Sequence, residues 1–349
     1  MRRSDLAGVG FSTSPALSMC LRAPVSPPKG SSSVTRRLLV PLLAGLSLLA
    51  LPAAAPAKSN VLVGIGDQNA SMFSSTFYQQ LKLKRTRYFI EWNAINNPAE
   101  LARADEFVNA ANASKIKVLL HISTDDLRPR KATLPRVAKY KAAVGALVAR
   151  YRGMGVTDWG VWNEANHKTQ PTYRSPKRAA EFYKAFRKFS CSGCKIVALD
   201  VLDQAGVERY IKRWLSAAGS AGRQAKVIGI HNYSEVNRKK TKGTSKFPGT
   251  KRIIDAVRKK NKRARYWYTE TGALVKFGSF KCSTSRPKST LRFMFALAKK
   301  FDRYVERLYS YNWTGADCKV RFDAGLVFAN GQPRSHYSVF KSKLKAFRR

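Results

Sequence analysis

Eight times between Val61 and Phe347 a short apolar run of strand-like composition gives way to a stretch with helical spacing. The runs are Val61–Ile65, Thr86–Ile90, Lys117–Ile122, Asp158–Glu164, Lys195–Asp200, Lys226–Tyr233, Arg265–Glu270 and Glu306–Asn312. The helical stretches that follow them are Ser74–Leu83, Pro98–Ala113, Leu134–Tyr151, Ser175–Phe189, Val207–Ala217, Thr250–Lys260, Lys288–Phe301 and Ser335–Phe347. Strands that alternate with helices favour a parallel sheet, because a helical crossover returns the chain to the same end of the sheet. Eight such units argue for a closed sheet, so the expected fold class is α/β, a (β/α)8 TIM barrel. A doubly wound open sheet is the competing arrangement. No Gly-rich phosphate loop follows Val61–Ile65, which counts against its nucleotide-binding version.

The barrel occupies only part of the 349 residues. Residues 1–35 are rich in Ser, Pro, Gly and Arg and show no apolar period. Arg36-Arg37 then precede an apolar run from Leu38 to Leu51, and Ala55-Pro56-Ala57 matches a small-residue cleavage pattern. Residues 1–57 therefore read as an N-terminal extension and signal peptide, of the Sec type or, from Arg36-Arg37, twin-arginine. The run is short and is interrupted by Pro41 and Gly45, so no stable membrane anchor is expected. Residues 58–349 are expected to form one catalytic domain of a secreted protein. With 44% hydrophobic residues the chain can build a full core for it.

The formal net charge is +44, and +39 remains once residues 1–57 are set aside. So basic a protein is drawn to polyanions, among them anionic cell-wall polymers, acidic polysaccharide, nucleic acid and anionic lipid; a solvated basic surface with no specific partner accounts for the charge at least as well. The basic stretches Lys82–Arg87, Arg238–Lys242 and Arg258–Arg265 are separate. They do not interleave with aromatics, so no specific nucleic-acid partner is expected. A monomer is expected.

Four cysteines follow residue 57: Cys191, Cys194, Cys282 and Cys318. An even count in an exported chain favours two disulfides. In a barrel, Cys282 lies in the loop after the seventh strand and Cys318 in the loop after the eighth. Adjacent strands set these loops side by side, so Cys282 is expected to pair with Cys318 and Cys191 with Cys194. Cys191-Ser-Gly-Cys194 could also read as a redox motif or half a metal site, but no second ligand pair lies near it.

In a barrel the chemistry sits where the strands end at the C-terminal face. Here those ends carry Asp67, Arg87, Trp92, His121, Asn163, Glu164, His231, Tyr233, Glu270 and Trp313. Singly each has a bland explanation, such as a core histidine, a packing tryptophan or an asparagine cap. Together they mark almost every strand end. Two glutamates, Glu164 and Glu270, close two separate strands, which is the minimum set for glycosidic cleavage by paired carboxylates. Only four histidines are present and none is paired at ligand spacing, so no metal or other cofactor is expected.

This order of strand-end residues resembles the retaining glycoside hydrolases of clan A, and family 5 most closely. Arg87 stands where that family has the arginine of its second strand, His121 where it has the histidine of its third, and Asn163-Glu164 where it has the Asn-Glu of its fourth. His231-Asn-Tyr233, Glu270 and Trp313 match the ends of strands six, seven and eight. Families 39 and 51 of the same clan stay open. The resemblance implies that Glu164 is the general acid/base and Glu270 the nucleophile. It implies that Arg87 and Tyr233 orient Glu270, that Asn163 binds the sugar 2-hydroxyl, and that His231 tunes Glu164. His121 would bind sugar and Trp313 would stack on the ring, with Trp92 a further platform. The implied activity is retaining cleavage of a β-linked glycoside or polysaccharide. The alternative is a catalytically silent barrel that binds cell-wall or acidic polysaccharide through its basic surface.

Overall fold

The computed structural model describes residues 58–128, 131–189, 191–238 and 248–349. The expected signal peptide lies outside them. Eight parallel strands form a closed ring: β1 (Ser59–Gly66), β2 (Arg85–Glu91), β3 (Lys117–Ser123), β4 (Asp158–Gly160), β5 (Lys195–Leu202), β6 (Val227–His231), β7 (Arg265–Thr271) and β8 (Val305–Tyr311). Each pairs with the next, and β8 closes on β1 with Leu62 opposite Arg307 and Gly66 opposite Tyr311. Around the ring lie α1 (Thr76–Gln79), α2 (Pro98–Ala113), α3 (Val137–Gly153), α4 (Pro176–Phe186), α5 (Val207–Ala218), α6 (Gly249–Arg258), α7 (Arg286–Lys300) and α8 (Tyr337–Lys343). The (β/α)8 expectation holds. No helix among the described residues is long and apolar enough to cross a membrane.

Local chemistry sets several boundaries. Asn97 accepts the Glu100 N–H and Ser175 the Arg178 N–H, each just before a proline that opens its helix. Two expected helices differ. The first is a 3-10 turn at Ala70–Ser74 followed by the short α1 rather than one helix over 74–83. The last ends at Lys343, and Phe347–Arg348 instead pair with β1, where Phe347 packs on Phe295 of α7. Burial of one phenylalanine against the ring outweighs another half-turn of helix.

The barrel interior is packed. Leu119, Val197, Val227, Trp267 and Tyr309 fill one end. Arg307 lies over the Trp267 ring, 3.6 Å from its centroid, and pairs with Asp158. A larger apolar layer joins ring and helices. The site therefore has only the C-terminal face open to it. There the loops after β7 and β8 are tied twice: by a two-residue antiparallel pairing of Lys276–Phe277 with Phe322–Asp323, and by the Cys282–Cys318 disulfide, Cα atoms 5.9 Å apart. Cys191 and Cys194 form the second bridge.

Candidate active site

The strand that ends on Asn163-Glu164 keeps regular pairing only through Gly160. Period-two alternation would put Trp159 and Asn163 on one face. The structure separates them: Trp159 packs against Phe186 of α4, while Asn163 points inward to Arg87. Trp162 stacks on Phe182, its ring centroid 5.0 Å away, in the helix layer. Glu164 takes a left-handed backbone, φ 43°, which re-aims its side chain into the mouth. Gly160 and Gly229 leave room inside the ring, since a Cβ would collide with His121 at the first and with Asp200 at the second.

Arg87 is fully buried at the centre of the mouth. Nη1 donates to Glu270 Oε2 at 2.7 Å, Nη2 to Asn163 Oδ1 at 2.5 Å and Nε to His121 Nδ1 at 3.4 Å. The Tyr233 hydroxyl donates to the other Glu270 oxygen at 2.9 Å. His231 Nδ1 lies 3.0 Å from Glu164 Oε1, and Nε2 lies 2.8 Å from Asp200 Oδ2. Asp200 also accepts the Glu164 backbone N–H at 3.2 Å and the Thr269 hydroxyl. One carboxylate thus holds both the backbone of Glu164 and the imidazole beside its side chain.

The charges follow from these contacts. Burial disfavours protonated His231, but the surrounding carboxylates, Asp200 first, outweigh it and raise its pKa to about 10. Burial alone would raise Glu164, yet the hydrogen bond and charge of His231 bring it below the ordinary carboxylate range. Burial lowers His121 to about 3, so it is neutral and accepts at Nδ1 from Arg87. Asp200 is buried, which opposes its charge, but His231 and His121 hold its pKa far down.

A carboxylate oxygen of Glu164, a ring nitrogen of His231 and a carboxylate oxygen of Glu270 lie within 4.8 Å of one another. These groups are close enough to share a cation. The carboxylate oxygens, however, already accept from Arg87, Tyr233 and His231, and a guanidinium 2.7 Å from Glu270 repels a metal ion. The set is better suited to moving a proton. Above it opens a cavity of about 590 Å3, lined by Asn163, Glu164, Tyr233 and Glu270 with Tyr311 and Phe322 among its aromatic walls.

Four of the expected residues lie elsewhere. Trp313 is 2% exposed and packs edge-on against Tyr78 and Tyr337 in the helix layer, so it offers no sugar platform. Trp92 sits partly buried against the core, away from the cavity wall. Asp67 is buried and accepts the backbone N–H groups of Gln68, Asn69, Trp313 and Thr314, tying the ends of β1 and β8 together. His121 lies under Arg87 with no exposure and cannot touch a ligand. In each case a strand-end side chain turns outward or stays beneath the floor. Asp200 and Tyr311 are the residues that the sequence reading passed over. Asp200 closes an apolar run just as Glu270 does, so the same signal was present. Tyr311 precedes Trp313 by two positions and takes the place in the cavity expected for that ring.

No protein-family model matches the sequence, and no curated protein matches it. Solved structures share its fold. A glucosidase from Croceicoccus marinus superposes with a TM-score of 0.59 at 14% identity over 83% of this chain and 66% of its own. A family 39 glycoside hydrolase from the gut symbiont Bacteroides cellulosilyticus WH2 gives 0.59 at 16%, over 83% and 64%. A beta-glucosidase from Thermotoga maritima gives 0.57 at 12%, over 84% and 100%. The chain spans just under two thirds of the length of the first two. At such identities the likeness establishes the (β/α)8 fold that these glycoside hydrolases and this chain have in common.

Proposed function

We propose that this protein is a retaining O-glycoside hydrolase that cleaves a β-linked glycoside or polysaccharide by double displacement. The observation that carries the reading is the approach of Glu164 and Glu270 oxygens to within 4.8 Å across the mouth of the barrel. Retaining enzymes hold their carboxyl groups about 5–5.5 Å apart, whereas inverting ones leave roughly 6.5–9.5 Å for a water. The fold shared with glucosidases and a family 39 hydrolase supports a glycosidase; assignment within clan A, to family 5 or another, stays at the level of that resemblance.

In the first step a Glu270 oxygen bonds to the anomeric carbon while the bond to the leaving oxygen breaks, and that oxygen takes a proton from Glu164. In the second, water attacks the same carbon, gives its proton back to Glu164, and frees Glu270. Arg87 and Tyr233 keep the Glu270 oxygens aimed. Between turnovers the proton rests chiefly on His231, one hydrogen bond from Glu164. Substrate that displaces water from the cavity disfavours the Glu164 anion and draws the proton across. Asn163, its carbonyl held by Arg87, presents its amide N–H groups for a sugar hydroxyl. Tyr311 and Phe322 form the apolar wall. We place the mature chain, residues 58–349, outside the cell, on the strength of the apolar run before Ala57 and the paired cysteines.

The test is hydrolysis of a panel of aryl β-glycosides and β-linked polysaccharides, with the anomer first released read by proton NMR. Retained configuration is expected. Binding to β-glycans with no turnover on any substrate favours the silent barrel instead.

A further inference from the structure

The cavity above the two glutamates carries more positive charge than cleavage of a neutral sugar needs. Lys168, Arg238 and Arg321 line it, from the segments after β4, β6 and β8. Among the described residues its lining carboxylates are Glu164 and Glu270, and each already faces a cation, His231 and Arg87. Among the described residues neither Lys168 nor Arg321 has a carboxylate at ion-pair distance. The adjoining cavity of about 440 Å3 differs, because Arg103 pairs there with Glu100 and Arg128 with Asp126.

The placement of Arg321 is specific. Its guanidinium carbon is 5.8 Å from the Phe277 ring centroid. Phe277 packs edge-on against Phe322 at 5.5 Å, and Phe322 against Tyr233 at 5.8 Å. Tyr233 in turn bonds Glu270. An aromatic wall thus runs from the nucleophile to a guanidinium. Arg238 lies beside the same hairpin, 6.0 Å from the Phe280 ring centroid, and Phe280 bridges to Phe277. A sugar ring laid along such a wall brings its substituents to the arginines, and a guanidinium fork matches a carboxylate or sulfate.

We propose that Arg321, with Arg238 and Lys168, forms an anion subsite beside the catalytic glutamates, and that the substrate is a glycan bearing carboxylate or sulfate groups. The proposal rests on the glycosidase reading. The net charge of +39 on residues 58–349 acts in the same sense by steering polyanions to the protein.

The test uses matched β-1,3- and β-1,4-linked tetrasaccharides of glucose, of glucuronate and of glucose 6-sulfate. Each is titrated calorimetrically into the Glu270→Ala protein and offered to the wild type for cleavage. At least one charged series is expected to bind about tenfold more tightly than its neutral counterpart, as one charge-assisted contact supplies. The series preferred distinguishes carboxylate from sulfate. Arg321→Gln is expected to erase most of that ratio; Arg321 is exposed, so the substitution leaves the core intact. Equal affinity and cleavage for neutral and charged series overturn the subsite and leave the glycosidase reading standing. A ratio unchanged by Arg321→Gln also overturns it. Absence of binding and cleavage for every series overturns the subsite, and the glycosidase reading falls with it only if the panel of aryl β-glycosides and β-linked polysaccharides also shows no turnover.

Discussion

Nη1 of Arg87 lies 2.7 Å from Oε2 of Glu270; the guanidinium is buried beneath the cavity floor, while Glu270 keeps a small face open to the cavity. The same guanidinium reaches Asn163 and His121, so one cation from β2 positions groups from β3, β7 and the segment after β4. Such a pair can be held only by a rigid ring, because buried charges are costly unless geometry and hydrogen bonds are satisfied together.

The two glutamates should separate by substrate and by anion rescue. Glu164→Ala is expected to retain part of its first step on a dinitrophenyl glycoside, which needs little protonation, and to accumulate the glycosyl-enzyme. Azide should then release a product of retained configuration. Glu270→Ala rescued by azide should give the inverted product, because azide attacks from the face that the nucleophile vacates. Near wild-type turnover in both variants on every substrate would remove these residues from the mechanism.

Asp200→Asn should move the pH–rate profile without touching the reacting atoms. Burial works against protonated His231, and Asp200 is the largest influence that sustains it, with a pKa of about 10. Removing that charge lets the His231–Glu164 pair lose its proton at lower pH. The basic limb of kcat/KM is expected to shift down by about one unit or more. A uniformly depressed profile with unmoved limbs would mean that Asp200 acts only on structure.

Asp67 gives the fold a pH dependence of its own. Burial raises its carboxyl from 3.8 to about 6, despite the four backbone N–H groups that it accepts. Between those values the folded protein holds a proton that the unfolded chain has lost, so this group's contribution to stability falls as pH rises through the window. Asp67→Asn should flatten the decline of Tm between pH 4 and 6, whatever its cost at any single pH. Parallel Tm curves for both proteins would contradict the assignment.

Asp323→Ala should destabilise the mouth more than an ordinary surface change. Asp323 and Arg334 are 1% and 2% exposed, and the guanidinium bonds both Asp323 oxygens. Asp323 also accepts the N–H groups of Ala316 and Cys318 in the loop after β8. Stranding a buried cation costs about 3–5 kcal/mol. Urea denaturation should show a lower midpoint, and a loss under about 1 kcal/mol would mean that Asp317, the other partner of Arg334, suffices.

Much of the site was legible in the linear order. Asn163, Glu164, His231, Tyr233 and Glu270 lie at the ends of their runs in the sequence and meet at the mouth, where Arg87 reaches them from within β2, since every parallel strand of a barrel delivers its C-terminal end to the same face. Trp313, Trp92, Asp67 and His121 were equally plausible by position. Strand-end position says where a side chain starts, not which way it turns.

The sequence by itself determined the eight units, their order, the carboxylates at two strand ends and cysteines in adjacent loops, because hydrophobic period and strand termination are local properties. Tertiary structure decided direction and partnership. Glu164 leaves the alternation at φ 43°, where Asp200, 36 residues later, accepts its N–H. Trp313 is drawn into the helix layer by Tyr78 and Tyr337, and Tyr311 is left to face the cavity. These outcomes depend on contacts between residues far apart in the chain, whose energies arise only when closure of the ring brings them together.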